Sequence, residues 1–156
     1  MHPRFYHHEV INLRLLFTIL GLPLTLTAVM PAAAAPAPDL PLAEQVAIIQ
    51  TVAQAASARL KLGHDALRLA PTQTKRSGDW VFLKARMRNS AGQPFDYAGT
   101  DLYQAAQVGT VSDRCAALLH RENGVWKLVD IAVGPTDVAW ENWPTKHKAP
   151  ADLFNN

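Results

Sequence analysis

The chain has 156 residues, with 15 Lys+Arg against 13 Asp+Glu and a single cysteine. One cysteine excludes an intramolecular disulfide, so a domain of this size must be held by its apolar core. No basic run with interleaved aromatic residues is present, which argues against a nucleic-acid-binding stripe.

The N-terminus is organised for export. Arg4 and Arg14 supply positive charge, Glu9 is the only acid, and no residue from Leu15 to Met30 is charged. Pro31, Ala32 to Ala35 and Pro36-Ala37-Pro38 follow. A basic start, an apolar middle and a small-residue exit form the layout of a secretory signal. Signal peptidase accepts small side chains one and three positions before its cut. Ala32 and Ala34 meet that need and place cleavage between Ala34 and Ala35. An uncleaved anchor is the alternative. The uncharged run of 16 residues is shorter than the roughly 20 a spanning helix requires, and Gly21 and Pro23 interrupt it. No cysteine lies near the exit for lipid attachment. The reading is a signal peptide over 1–34, a linker over 35–40 and one domain over 41–156, working in the periplasm or secreted. Loss of Arg4, Arg14 and Glu9 reduces the formal net charge from +2 to +1. Nothing in the charge balance points to an acidic partner. Cys115 has three readings in an oxidising compartment: a small buried strand residue, a catalytic thiol, or half of an intermolecular disulfide.

In the expected mature part, Pro41 suits the first turn of a helix. Leu42, Val46, Ile49, Ala53, Ala56 and Leu60 then recur at helical spacing and predict an apolar face, with Gly63 as the left-handed cap. Leu67 and Leu69 around Arg68 give a weaker strand signal, and residues 75–79 read as a turn. Trp80 to Arg88 alternates. Val81, Leu83, Ala85 and Met87 form a core face, and Lys84, Arg86 and Arg88 the solvent face, which Trp80 and Phe82 begin.

A short helix is expected over residues 101–107, capped by Thr100 or Asp101 and closed by Gly109. Arg114 to His120 and Val125 to Val133 flank Asn123-Gly124, the signature of a type I′ hairpin. Simple alternation puts Val125, Val129, Ile131 and Val133 on one face, interrupted by Lys127. Trp126, Leu128, Asp130 and Ala132 fall on the other. A buried Asp130 would need a partner such as Arg86 or Arg88.

The tail holds the least ordinary string, Gly134-Pro135-Thr136-Asp137-Val138-Ala139-Trp140-Glu141-Asn142-Trp143-Pro144. A helical turn from Asp137 to Trp143, stopped by Pro144, would set Trp140 and Trp143 on one side. Asp137 would sit at its positive end. These two tryptophans either cover open sheet core, with Leu153 and Phe154 beside them, or form a binding surface. With Ala149-Pro150, Leu153-Phe154, the strand Val129–Val133 and Ser77–Phe82, this tail resembles a group of small exported bacterial proteins with no assigned activity. The element order is similar to cystatin-like folds, which host inhibitors, binding modules and enzymes alike.

The fold class is therefore α+β: one long N-terminal helix on an antiparallel sheet of about four strands, a short helix and an aromatic tail. The expected function is an exported binding or interaction protein, since no complete catalytic constellation is present; an enzyme belongs to the alternative reading. Its binding residues are Trp140, Trp143, Asp137, Asp96 and Tyr97. No His pair has metal-ligand spacing, there is no Gly-x-Ser-x-Gly elbow, and no metal or other cofactor is expected. The partner is a protein or small molecule of the periplasm, not nucleic acid, and the membrane is met only through the signal peptide. The alternative is a small-ligand binder or enzyme with a pocket between helix and sheet, using Asp96, Tyr97 or Asp130.

Overall fold

The computed structural model describes Leu40–Asn155. The signal peptide expected over 1–34, its Ala34/Ala35 cut and nearly all of the 35–40 linker lie outside the described residues. The order of elements is α1 (Leu42–Arg59), β1 (Leu67–Ser77), β2 (Trp80–Asn89), α2 (Tyr103–Gln107), β3 (Arg114–Glu122), β4 (Val125–Val133), α3 (Trp143–His147) and a final 3₁₀ turn (Ala151–Phe154). The strands form one antiparallel meander in the order β1-β2-β3-β4. The expected α+β class, with one long helix on four strands, is the one observed.

Helix α1 lies on one face of this sheet, nearest the two edge strands β1 and β4. The sheet must therefore curl around it. Two bulges sharpen that curl: Thr72 is extra in β1 and Val129 is extra in β4.

The helix is rotated from the expected face. Ile48, Val52, Ala56, Ser57 and Leu60 are buried, whereas Leu42 and Val46 are exposed. Alanines on all sides of α1 leave its apolar stripe poorly defined, so a polar anchor sets the rotation. Glu44, one turn before Ile48, accepts a hydrogen bond from Trp126 Nε1 at 2.8 Å and meets Arg121 at 3.5 Å. That contact ties the first turn to β4. The cap also differs. Lys61, not Gly63, takes the left-handed conformation, at φ 56°. Leu62 N donates to Ser57 O and Lys61 N to Ala58 O, the paired bonds of a Schellman motif.

The Asn123-Gly124 hairpin is as expected, with φ 51° and 80°. The faces of β4 are not. The bulge pairs Leu119 with Leu128 but Leu118 with Asp130. A one-residue slip reverses every side chain beyond it. Trp126, Leu128, Ile131 and Val133 therefore all pack on the α1 side, while Val129 and Ala132 face the opposite way. Lys127, expected to interrupt an aliphatic face, lies before the slip on the side remote from α1.

That opposite side is a second core. Phe82, Ala116, Leu118, Trp143, Ala149 and Leu153 are buried together, with Trp80, Trp140 and Phe154 packed around them. The described residues thus form three layers: helix, sheet and C-terminal tail. Pro144 does not stop a helix here. It sits in the first turn of α3, where its missing N–H costs nothing. Residues 136–142 form bends and turns instead of the expected helical turn. Trp140 and Trp143 consequently reach Phe82 from different angles, at 5.5 Å tilted and 6.1 Å edge-on.

Candidate functional site

The tail covers only part of the outer sheet face. Beyond Phe82, the register sets Lys84 and Arg86 of β2 on this face, with Arg86 directly opposite Arg114 of β3. Arg88 lies directly opposite Arg68 of β1 on the same face. Like charges directly across a sheet destabilise it. Two Arg–Arg pairs side by side are therefore costly to the fold, and only one of these four arginines has an acid beside it. Arg86 meets Asp113 in an ion pair. Among the described residues, Arg68, Arg88 and Arg114 form none.

The tail supplies the wall of this basic area. Gly134 ends β4 at φ 72°, and the chain turns across the sheet through Pro135 to Trp140. A cleft of about 410 Å³ opens between tail and sheet. Lys84, Arg86 and Arg114 line its floor, and Thr136, Asp137, Val138 and Trp140 line its wall. The Lys84 ammonium sits over the Trp140 ring, 5.5 Å from its centroid, as a cation–π pair does. The charge at the cleft is positive, since Lys84, Arg86 and Arg114 outnumber Asp137 and the Asp113 that pairs with Arg86.

Of the residues singled out in the sequence, Trp140 and Asp137 meet in this cleft. Trp143 is 3% exposed and belongs to the second core. Asp96 is an exposed loop residue whose carboxylate accepts from Ala98 N at 3.0 Å. Tyr97 is buried on the α1 side, and its hydroxyl donates to Ser112 O at 2.5 Å. Asp96, Tyr97 and Asp130 do not converge. A shallower groove runs between α1 and β1, bordered by Gln50, Gln54, His64 and Asp65. There His64 Nε2 lies 3.3 Å from Gln54 Nε2. Among the described residues no three His, Cys, Asp or Glu side chains gather where they could hold a metal ion. Cys115 is buried on β3, and burial pushes its thiol up to about 12, which leaves it protonated and a poor nucleophile.

Asp130 holds the tail down. Its partners are Lys146 and His147, both at 2.7 Å, and the Ile131 amide at 2.8 Å, not Arg86 or Arg88. Desolvation raises its pKa, but the hydrogen bonds from Lys146, His147 and Ile131 outweigh it and hold the carboxyl below its ordinary 3.8. A depressed carboxylate contributes stability that is full above the unfolded value and fades as pH falls through the lower folded one. Asp130→Asn is therefore expected to lose about 1–3 kcal/mol at pH 7. The gap to the unchanged protein should close below pH 3.8. Denaturant titrations at several pH values test this, and a gap that does not narrow as the pH falls below 3.8 would remove the ionic latch.

The basic floor escaped the sequence reading. Lys84, Arg86 and Arg88 looked like an ordinary solvated strand face. Their meaning comes from Arg114 and Arg68, which only the strand register places beside them. Comparison with protein families, curated proteins and solved structures finds no match for this chain.

Proposed function

We propose that this is a small binding protein that acts outside the cytoplasm and takes an anionic ligand in the cleft between its tail and outer sheet face. The observation that carries this reading is the Arg86–Arg114 pair beside Trp140, flanked by Arg68–Arg88. Repulsion between paired arginines lowers stability in the free protein and is relieved by an anion between them. A site that breaks a local rule of stability is where function is best sought. The export reading rests on the Arg4–Ala35 pattern, and N-terminal sequencing of the exported product should begin at Ala35. The cystatin-like analogy fits a binding role without specifying one.

The strain argument makes a test with opposed signs. Arg114→Gln is expected to stabilise the free protein by a few tenths of a kcal/mol, raising Tm by about 2 °C. The same variant should lose the rise in Tm that millimolar inorganic phosphate gives the unchanged protein, because a ligand stabilises only the state that binds it. If phosphate shifts neither protein, or if Arg114→Gln is the less stable one, the anion site is wrong.

A further inference from the structure

We infer that the ligand of this cleft is a phosphomonoester carried on a ring, its phosphate held by Arg86 and Arg114 and its ring laid against Trp140 and Val138. This rests on the anion-binding reading above and adds the ligand's chemistry to it.

Charge sets the first half. Lys84, Arg86 and Arg114 line the cleft against Asp137, and Asp113 pairs with Arg86, so one positive charge is left in excess and three cationic side chains face the space. A phosphomonoester brings about −1.5 to −2 at neutral pH and three strong acceptor oxygens to these donors, whereas a monocarboxylate offers only two oxygens. Arg86 and Arg114 are cross-strand partners, so their side chains start about 5 Å apart and can close on one group from two sides. A guanidinium offers five donors in a planar fork. Arg86 spends part of its fork on Asp113, and Arg114 is unpaired among the described residues. Thr136 adds a hydroxyl at the rim, while the Thr72 hydroxyl already donates to Lys84 O at 3.1 Å.

Shape sets the second half. Inorganic phosphate alone would leave most of a 410 Å³ cleft unfilled. The remaining wall is apolar and partly exposed: the Trp140 ring, and Val138 at 55% exposure. An exposed valine beside a tryptophan is costly to leave in water and suits the flat face of a ring. Lys84 lies two residues along β2 from Arg86, roughly 7 Å away, under Trp140. It can reach a hydroxyl or a phosphate oxygen on the ring side. A sugar and an aryl ring share this chemistry.

Calorimetry with inorganic phosphate, glucose 6-phosphate, phenyl phosphate and glucose tests the inference and separates the two rings. At least one ring ester should bind tenfold or more tightly than inorganic phosphate, and glucose should not bind. Trp140→Ala should erase that preference, bringing the ring esters down to the affinity of inorganic phosphate. Val138→Asp, on the exposed wall where folding is not at stake, should weaken the ring ester at least tenfold. Equal binding of inorganic phosphate and both ring esters overturns the ring and spares the anion site. Retained preference in Val138→Asp also overturns it. Absence of binding by all three phosphates overturns both readings together.

Discussion

Trp143→Ala is expected to lower the free energy of unfolding by about 3–5 kcal/mol, the range for emptying a buried aromatic site. Trp143 is 3% exposed, and its ring stands edge-on to Phe82 within the second core. Its neighbours there are Ala116, Leu118, Ala149 and Leu153. The alanines on either side cannot expand to fill the space. The elements it fixes are also weak on their own. Helix α3 has five residues and the 3₁₀ turn four, far below the length at which a helix is stable by itself. Packing on Phe82, Ala116 and Leu118, the Asp130 latch and a hydrogen bond from Lys75 Nζ to Asn155 O hold this layer to the sheet. Since domains of this kind are stable by about 5–15 kcal/mol, the loss is a large share of the total. Guanidinium unfolding monitored by circular dichroism measures it. A loss under about 1 kcal/mol would mean that Trp143 is available at the surface and belongs with Trp140 in binding. Trp140→Ala should cost less, because that ring is only partly covered.

The contrast between these two tryptophans shows what a sequence can carry. Three residues apart, they looked alike on an assumed helical turn. Pro144 lies in the first turn of α3 rather than ending a turn, and Trp143, the first residue of that helix, enters the core while Trp140 stays at its edge. Local signals were reliable where the cause is local. The Asn123-Gly124 turn, the alternation of β2 and the length of α1 follow from a residue's own conformational preference and that of its near neighbours. The β4 faces were misread because the slip at Val129 depends on how β4 aligns with β3. The rotation of α1 depends on Glu44 meeting Trp126, 82 residues away. The cationic cleft has the same origin. Arg86 and Arg114 become neighbours only through the β2–β3 register, across an intervening loop and helix, and no motif marks that pairing. Trp140 and Asp137 were visible because rare aromatic strings stand out; the arginines were not, because charged residues on a strand are ordinary.

Gly134→Ala is the second change expected to be severe, at about 3–4 kcal/mol. Gly134 has φ 72°, which alone costs an alanine about 1–2 kcal/mol. A Cβ there would also lie 2.5 Å from the Tyr97 hydroxyl. Tyr97 cannot yield freely. Its ring is buried in the α1-side core, and its hydroxyl donates to Ser112 O. Burial, with the nearby Cys115 and Asp113, raises the phenol to about 12, so it remains a donor throughout the neutral range. Ser112 in turn is bonded through its amide to Gly134 O at 3.0 Å and through its hydroxyl to Pro135 O. Gly134 N closes the knot on Arg114 O at 2.8 Å.

Tyr97→Phe removes the hydroxyl that the new methyl would strike and alone should cost about 1–2 kcal/mol. The double variant should therefore be less damaged than the sum of the two by about 1 kcal/mol or more, which a double-mutant cycle measures. Additivity within about 0.5 kcal/mol would show that the two groups do not meet. The knot joins Arg114, on the floor of the cleft, to the segment that leads to Asp137 and Trp140 on its wall. Gly134→Ala is for that reason also expected to weaken phosphate binding, with every cleft side chain still present. Tyr97, expected from the sequence to touch a ligand, is instead buried beside the cleft: it helps to fix the distance between Arg114, proposed to hold the anion, and the tail that forms the wall.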